Sequence, residues 1–285
     1  MASGIFVGLS TIDLVHTVDE FPLADTKAVA RSQEVLVGGP ATNAAITFSL
    51  LGEKATLVTG VGRHPVAGLV KDELRKYAVD LVDLAPQSEL SPAISSVWIN
   101  QYGHRSVVSV NATRIDIPGP QVDHSLFREA SILLVDGHFM SACQVWAAAA
   151  RTLGIPVVFD GGSWKPGTDQ LLNFVDIAIC SADFLPPGCN SDDTVISYLQ
   201  SAGVRQIAIT HGANPVRFVD TSHYGFIEVP QVDAIDTTGA GDIFHGAFCF
   251  HTANGSSFVE ALREAARIAT ASCQFHGTRE WMSVR

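Results

Sequence analysis

Apolar and polar positions follow two regimes along the chain. From about residue 130 onward, short apolar runs recur at 132–135, 156–159, 176–180 and 206–210, and each reads as a buried strand. Stretches at 142–153, 169–174 and 192–201 separate them and read as helices. Segments 217–220 and 225–229 suggest a late hairpin. Residues 258–272 form the last predicted helix, with Ser257 and Glu260 spaced for a capping box. The first half is less regular. Residues 5–9 and 56–59 read as strands, and 66–77 as an amphipathic helix. After the break at Gly38, Gly39 and Pro40, residues 41–51 make a helix that Gly52 ends. Residues 28–37 carry β-branched residues without clean periodicity, which suggests an exposed or edge strand. Residues 93–100 and 106–110 flank Gln101, Tyr102, Gly103 and His104 as a hairpin.

Alternating strands and helices predict an α/β fold with a doubly wound, mostly parallel sheet. Two regions, about 12–37 and 92–112, do not fit the alternation. They are expected to pair as a small β-sheet lid, inserted into a single domain that spans residues 1–285.

The stretch 232–248 carries the sharpest chemical signal. Gly239, Ala240 and Gly241 run into Asp242, and Ile243, Phe244, Ala247 and Phe248 follow at helical spacing. Small residues let backbone amides approach a ligand. A helix starting there points unpaired N–H groups and its positive dipole end outward, which suits a phosphate. Asp242 beside such an anion hole is placed to take a proton from a hydroxyl. A glycine-rich loop with a capping Asp fits the local residues as well.

A second glycine pair opens the helix at 41–51, with Asn43 on its first turns. An amide there offers a hydroxyl both donor and acceptor. Asp13 follows the first strand, where open α/β sheets place ligands. Residues 160–166 form a turn-rich segment in which Lys165 faces either solvent or a phosphate.

Composition narrows the classes. The chain has 285 residues, 47% hydrophobic and 16% charged, with a net charge of −11. That acidity, without a basic cluster, disfavours nucleic acid and an anionic membrane surface as partners. No apolar run is long enough to span a bilayer, and the first ten residues do not read as a signal peptide. The five cysteines are scattered without a C-x-x-C pair, as expected of free thiols in the cytoplasm. Scattered histidines show no metal spacing, and no Gly-Lys dipeptide exists, so a Walker A loop is absent.

The run Asp236, Thr237, Thr238, Gly239, Ala240, Gly241, Asp242 resembles the C-terminal signature of the PfkB (ribokinase-like) carbohydrate kinases. Gly38, Gly39 and Asn43 resemble the N-terminal signature, and 60–68 resembles a further family segment in which His64 replaces an Asp. The resemblance is closest to ketohexokinase-like members and extends over nearly the whole chain, including the 103–108 hairpin. It implies an ATP-dependent kinase acting on a primary hydroxyl of a small sugar or sugar derivative. Asp242 is then the catalytic base, and Gly239, Ala240 and Gly241 form the anion hole. Asp13, Asp25, Gly38, Gly39, Asn43 and Arg105 are implied for sugar binding. Asp183, Thr210, Gly212, Phe244 and Cys273 are implied for the nucleotide. ATP and Mg²⁺ are the implied cofactors, Asp236 and Thr238 a monovalent-cation (K⁺) site, and a homodimer through the β-lid the implied assembly.

Several positions depart from the pattern. Pro40 stands where ketohexokinases carry a fructose-contacting Asn. Asp183 and Pro186 fall where the N-x-x-E motif belongs, and Pro215 takes the last Gly of the nucleotide loop after Thr210 and Gly212. Two alternatives stand beside the sugar kinase: a nucleoside (adenosine-like) kinase, and a non-catalytic sugar- or nucleotide-sensing protein.

Overall fold

The computed structural model describes residues 2–102, 104–110, 115, 117 and 119–284. The chain begins with β1 (Ser3–Val7), β2 (Thr11–Thr17), β3 (Ser32–Gly38), α1 (Pro40–Leu50), β4 (Lys54–Thr59), α2 (Ala67–Lys76) and β5 (Val79–Asp83). β6 (Ala93–Ile99), β7 (Arg105–Ser109), β8 (Ile132–Val135), α3 (Met140–Thr152), β9 (Val157–Gly161), α4 (Thr168–Leu172) and β10 (Ile177–Ser181) follow. It closes with α5 (Asp192–Ser201), β11 (Gln206–His211), β12 (Asn214–Val219), β13 (Tyr224–Ile227), α6 (Ala240–Ala253) and α7 (Phe258–Ser272).

Nine strands form one sheet in the order β13-β12-β11-β10-β9-β8-β1-β4-β5. Pairs from β11 to β5 are parallel, and β12 and β13 are antiparallel additions at one edge. Strand side chains alternate between two buried layers, the period-two pattern of a sheet covered on both faces. Phe6, Leu57, Leu134, Val158 and Ile179 pack on the side of α1, α2, α6 and α7. Ile5, Val7, Val58, Leu133, Val135, Val157 and Phe159 pack on the opposite side, with Trp146 of α3.

A separate sheet has the order β3-β2-β6-β7, with β2 and β6 parallel and the outer pairs antiparallel. The two irregular regions do pair with each other, as their departure from the α/β alternation suggested. Asp13 therefore lies within a strand of this small sheet and not in a loop after β1. Gly103, at the centre of the predicted second turn, and residues 111 and 112 of the predicted lid lie outside the described residues. Strand β5 was not expected; its residues are mostly half-buried at the sheet edge, and its polarity hid it. The edge strand predicted at 28–37 begins only at Ser32.

β1 lies between β8 and β4, so successive connections leave it in opposite directions. Such a reversal opens a crevice at the carboxyl ends of the strands. The ends of β1 and β8 and the N-termini of α1 and α6 surround that crevice. The two helices cross closely because Gly246 lacks a side chain: a Cβ there would stand 2.4 Å from the Ala44 carbonyl oxygen.

Candidate active site

Asp242 sits in the first turn of α6, just after Gly239, which caps the helix at φ 69°. Its Oδ2 accepts a hydrogen bond of 2.7 Å from Nδ2 of Asn43 on α1. Burial pushes the Asp242 carboxyl up to about 7. Asp160 and Asp136 add to that rise, while Asn43 and His245 oppose it. A carboxylate near neutrality is a better proton acceptor than an ordinary Asp while still being available ionised. No neighbour crowds the face of Gly241, so a ligand can approach its backbone.

The crevice contains two further carboxylates, each following an apolar strand. Asp136 follows β8 and is buried; its Oδ2 accepts from Leu9 N at 2.8 Å and Ala41 N at 3.2 Å, and its Oδ1 from His138 N at 2.8 Å. Burial would raise this carboxyl, but His138 and those amides outweigh it and hold it below the usual range. Gly8 makes room for it, since a Cβ there would overlap the Asp136 carboxylate. Asp160 on β9 is raised chiefly by burial, with His245 opposing. His245 Nδ1 lies 3.6 Å from Asp160 Oδ2 and 2.7 Å from the Gly241 carbonyl. Lys165 Nζ reaches the Asp136 and Ser163 carbonyls at 3.4 and 3.3 Å.

The small sheet faces this crevice through Asp13. A Cβ on Gly38 would stand 2.5 Å from Asp13 Oδ2, so the glycine keeps that carboxylate clear. Burial raises the Asp13 carboxyl, against hydrogen bonds from Thr11 and Ser95 and the charge of Arg105. Arg105 itself is exposed on β7. Gly39 takes φ 101° with its would-be Cβ 2.4 Å from the Leu9 carbonyl oxygen, so only glycine fits there.

Behind the Gly241 end of α6 lies a pocket of about 300 Å³. Thr210, Gly212, Phe244 and Cys273, all predicted for the nucleotide, line it together with Ala240 and Gly241. Val216, Val229 and Ala269 make it largely apolar. Asp183 is exposed beyond β10 and does not line it; Ser181, which accepts a hydrogen bond of 3.1 Å from Asp183 N, does. Asp236 turns inward, its Oδ1 accepting from Thr238 N and its Oδ2 from Gly277 N, both at 2.8 Å. Burial pushes its carboxyl up, and those hydrogen bonds win and lower it. Among the described residues, no group of three His, Cys, Asp or Glu side chains is arranged to hold a metal.

A model of the "pfkB family carbohydrate kinase" matches residues 1–284. The chain belongs to the pfkB family of carbohydrate kinases. This pfkB kinase is 23% identical to mouse (Mus musculus) ketohexokinase, over 95% of its own length and 96% of that protein's. Among solved structures it is similar to Thermotoga maritima ribokinase, with a TM-score of 0.81 and 21% identity over 100% of this chain and 98% of that one. Arabidopsis thaliana ribokinase complexed with ribose and ATP also has a TM-score of 0.81, with 22% identity over 97% of this chain and 94% of that one. The pfkB kinase thus shares a ribokinase-like fold, as its two signatures implied, and is a phosphotransferase acting on carbohydrate with ATP.

Some predicted site residues stand apart from this centre. Asp25 is exposed at φ 57° in the β2–β3 connection. Other residues around the Asn43–Asp242 pair went unpredicted: Asp136, Asp160 and His245, which act on the Asp242 carboxyl, and Arg279, which donates to Asn43 Oδ1 at 2.9 Å and to Thr278 Oγ1 at 2.8 Å. The carboxylates did leave a signal, since each follows an apolar run at the edge where open α/β sheets bind ligands. No helix of the described residues is long and apolar enough to cross a membrane.

Proposed function

We propose that this pfkB kinase transfers the γ-phosphoryl of MgATP to a primary hydroxyl of a small sugar or sugar derivative. The hydrogen-bonded pair Asn43–Asp242 at the N-terminus of α6 carries the reading. Asp242 accepts the hydroxyl proton as the oxygen attacks phosphorus and the bond to ADP breaks. The amides of residues 239–241 face the charge that develops on the transferred group. Asp13, Gly38 and Gly39 orient the sugar from the small sheet and the α1 entrance, with Arg105 closing over it. Asn43 serves chiefly to hold Asp242.

ATP fits the apolar pocket around Phe244 and Cys273, whose mouth opens at the α6 amides. With no cage for a divalent ion among the described residues, Mg²⁺ is expected to arrive on the nucleotide phosphates, neutralising their charge. K⁺ is assigned to Asp236 and the Thr238 carbonyl, on the loop tied to Gly277, and a K⁺ requirement for turnover tests that assignment. Five free cysteines favour a cytoplasmic location. A homodimer through the small sheet accounts for its exposed valines, among them Val35, Val107 and Val108.

The test is an ATP-dependent phosphorylation screen over ketoses, pentoses, aldonates and nucleosides, with products read by mass. Acceptor-dependent phosphate esters from the wild type, absent with Asp242→Asn, support the proposal. Phosphorylation confined to nucleosides, or ATP turnover without any acceptor product, overturns it.

A further inference from the structure

The segment after α7 brings a buried guanidinium to the back of the active site. Arg279 Nε donates to Glu73 Oε1 on α2 at 3.1 Å, in an ion pair whose side chains are 15% and 21% exposed. Nη1 donates to Thr278 Oγ1 at 2.8 Å. Nη2 donates to the Val37 carbonyl at 3.0 Å and to Asn43 Oδ1 at 2.9 Å. The Tyr77 ring centroid lies 5.6 Å from Cζ. Trp281, buried, anchors the segment by donating from Nε1 to the Thr278 carbonyl at 3.1 Å.

A guanidinium only donates, and an ionised carboxylate only accepts. Asn43 lies between one of each. Its oxygen must therefore face Arg279, and its NH₂ must face Asp242. Rotating the amide by half a turn would set donor against donor and oxygen against oxygen. Asn43 is buried, so neither mismatch would be relieved by solvent.

We propose that Arg279 is a positioning residue for the catalytic base: held by Glu73, it fixes the Asn43 amide so that its N–H points at the Asp242 carboxylate. The inference rests on Asp242 being that base. Arg279 spends its donors on Glu73, Thr278, Val37 and Asn43. Its effect belongs in turnover and not in sugar affinity. The attraction between Arg279 and Asp242 also favours the ionised base. Around Asp242, burial comes first and Asp160 of β9 and Asp136 after β8 push the same way, while His245 of α6 and Asn43 oppose them.

The experiment pairs kinetics with a titration that needs no turnover. The Asp carboxyls are labelled with ¹³C, and Asp242 is assigned by its loss in Asp242→Asn. Arg279→Met combined with Glu73→Gln removes both charges and leaves no orphaned carboxylate. Its Asp242 midpoint is expected above the wild-type one. The same variant should lose about 10- to 100-fold in kcat at pH 7, with the sugar KM changed less than about threefold. Arg279→Lys, whose single ammonium cannot bridge Glu73 and Asn43 together, should fall between the two. It also serves if the double variant does not fold. An unshifted midpoint or wild-type kcat in a folded variant overturns the proposal, as does a sugar KM that rises as much as kcat falls. Full activity in Asp242→Asn would instead sink the base assignment, while the titration still reports whether Arg279 acts on Asp242.

Discussion

Asn43 and Asp242 are 199 positions apart in the chain, yet Asn43 Nδ2 donates to Asp242 Oδ2 at 2.7 Å. The contact joins the two family signatures into one site. It exists because α1 and α6 cross at Gly246 with no side chain between them. Asn43 and Asp242 stand near the N-terminal ends of those helices, where the dipoles favour negative charge. Burial and two neighbouring carboxylates work against that preference, and the balance leaves Asp242 near neutrality.

Replacing Asp242 by Asn keeps the shape and removes the proton acceptor. We expect kcat to fall by about 10²–10⁴. Wild-type kcat should itself decline as pH drops below about 7 and Asp242 protonates. The variant also tests the ionisation through stability. The folded-state value lies above the ordinary 3.8, so this carboxyl's contribution is full below 3.8 and is lost as pH rises through about 7. Asn escapes that loss. The melting temperature of the variant relative to wild type should therefore climb between about pH 4 and 7 and stay level above. With the cleft partly open to solvent, the plateau amounts to about 1–3 kcal/mol. Calorimetry across pH reads it, and a difference independent of pH would refute the raised value.

Gly239 holds φ 69°, and a Cβ on it would stand 2.4 Å from Thr278 Cγ2. Gly239→Ala should thus push back the C-terminal segment as well as strain the turn before the anion hole. We expect a lower melting temperature and a kcat loss of at least about tenfold. Thr278→Ser removes the clashing methyl yet keeps the hydroxyl that accepts from Arg279. Adding it to Gly239→Ala should restore part of both losses. If the added substitution restores neither, the steric account fails.

Much of this centre was legible because the signatures are local. Gly38, Gly39 and Asn43 lie within one turn and the start of a helix, and residues 236–242 within another. Their residue types state their backbone needs: φ 101° at Gly39 and φ 69° at Gly239. The regular βα units after residue 130 were equally plain, because buried parallel strands read as unbroken apolar runs. What stayed hidden depends on distant partners. Arg279 looks like any charged residue near a chain end, and only the packing of Trp281 and the pairing with Glu73 turn it inward. The tie of Asn43 to Asp242 and Arg279 was hidden too, because both partners come from remote sequence. Strand β5 was lost because it alternates Asp with apolar residues at a half-covered edge.

Cys273 tests the nucleotide pocket. It lines the same cavity as Phe244 and is half-buried. Cys273→Trp should fill much of the roughly 300 Å³. We expect the ATP KM to rise by about tenfold or more while the sugar KM stays near wild type. Equal rises in both constants would move the nucleotide elsewhere.

The small sheet tests assembly. Val107 and Val108 point to opposite faces of β7, yet they are 48% and 74% exposed. An edge strand uncovered on both faces invites a partner. The wild type should run as a dimer in sedimentation, and Val108→Lys should shift it toward monomer. A monomeric wild type at assay concentration removes the clasp.

Substrate choice should turn on Pro40. It occupies the first position of α1, half-buried, beside Gly39 and one turn before Asn43. Proline suits that position because its missing N–H is not needed there. It also offers a sugar no N–H and no polar side chain. A hydroxyl buried against it loses a partner, which costs about 1–3 kcal/mol. At about 1.4 kcal/mol per tenfold, the penalty reaches up to about two orders of magnitude for a sugar needing that contact. Fructose should therefore be a poor substrate, and the preferred one should lack or reorient a hydroxyl near Pro40. Pro40→Asn keeps an acceptable helix start and restores an amide. It should raise kcat/KM for fructose relative to the native substrate. An unchanged ratio, or wild-type phosphorylation of fructose with a micromolar KM, would show that specificity is set elsewhere in the crevice.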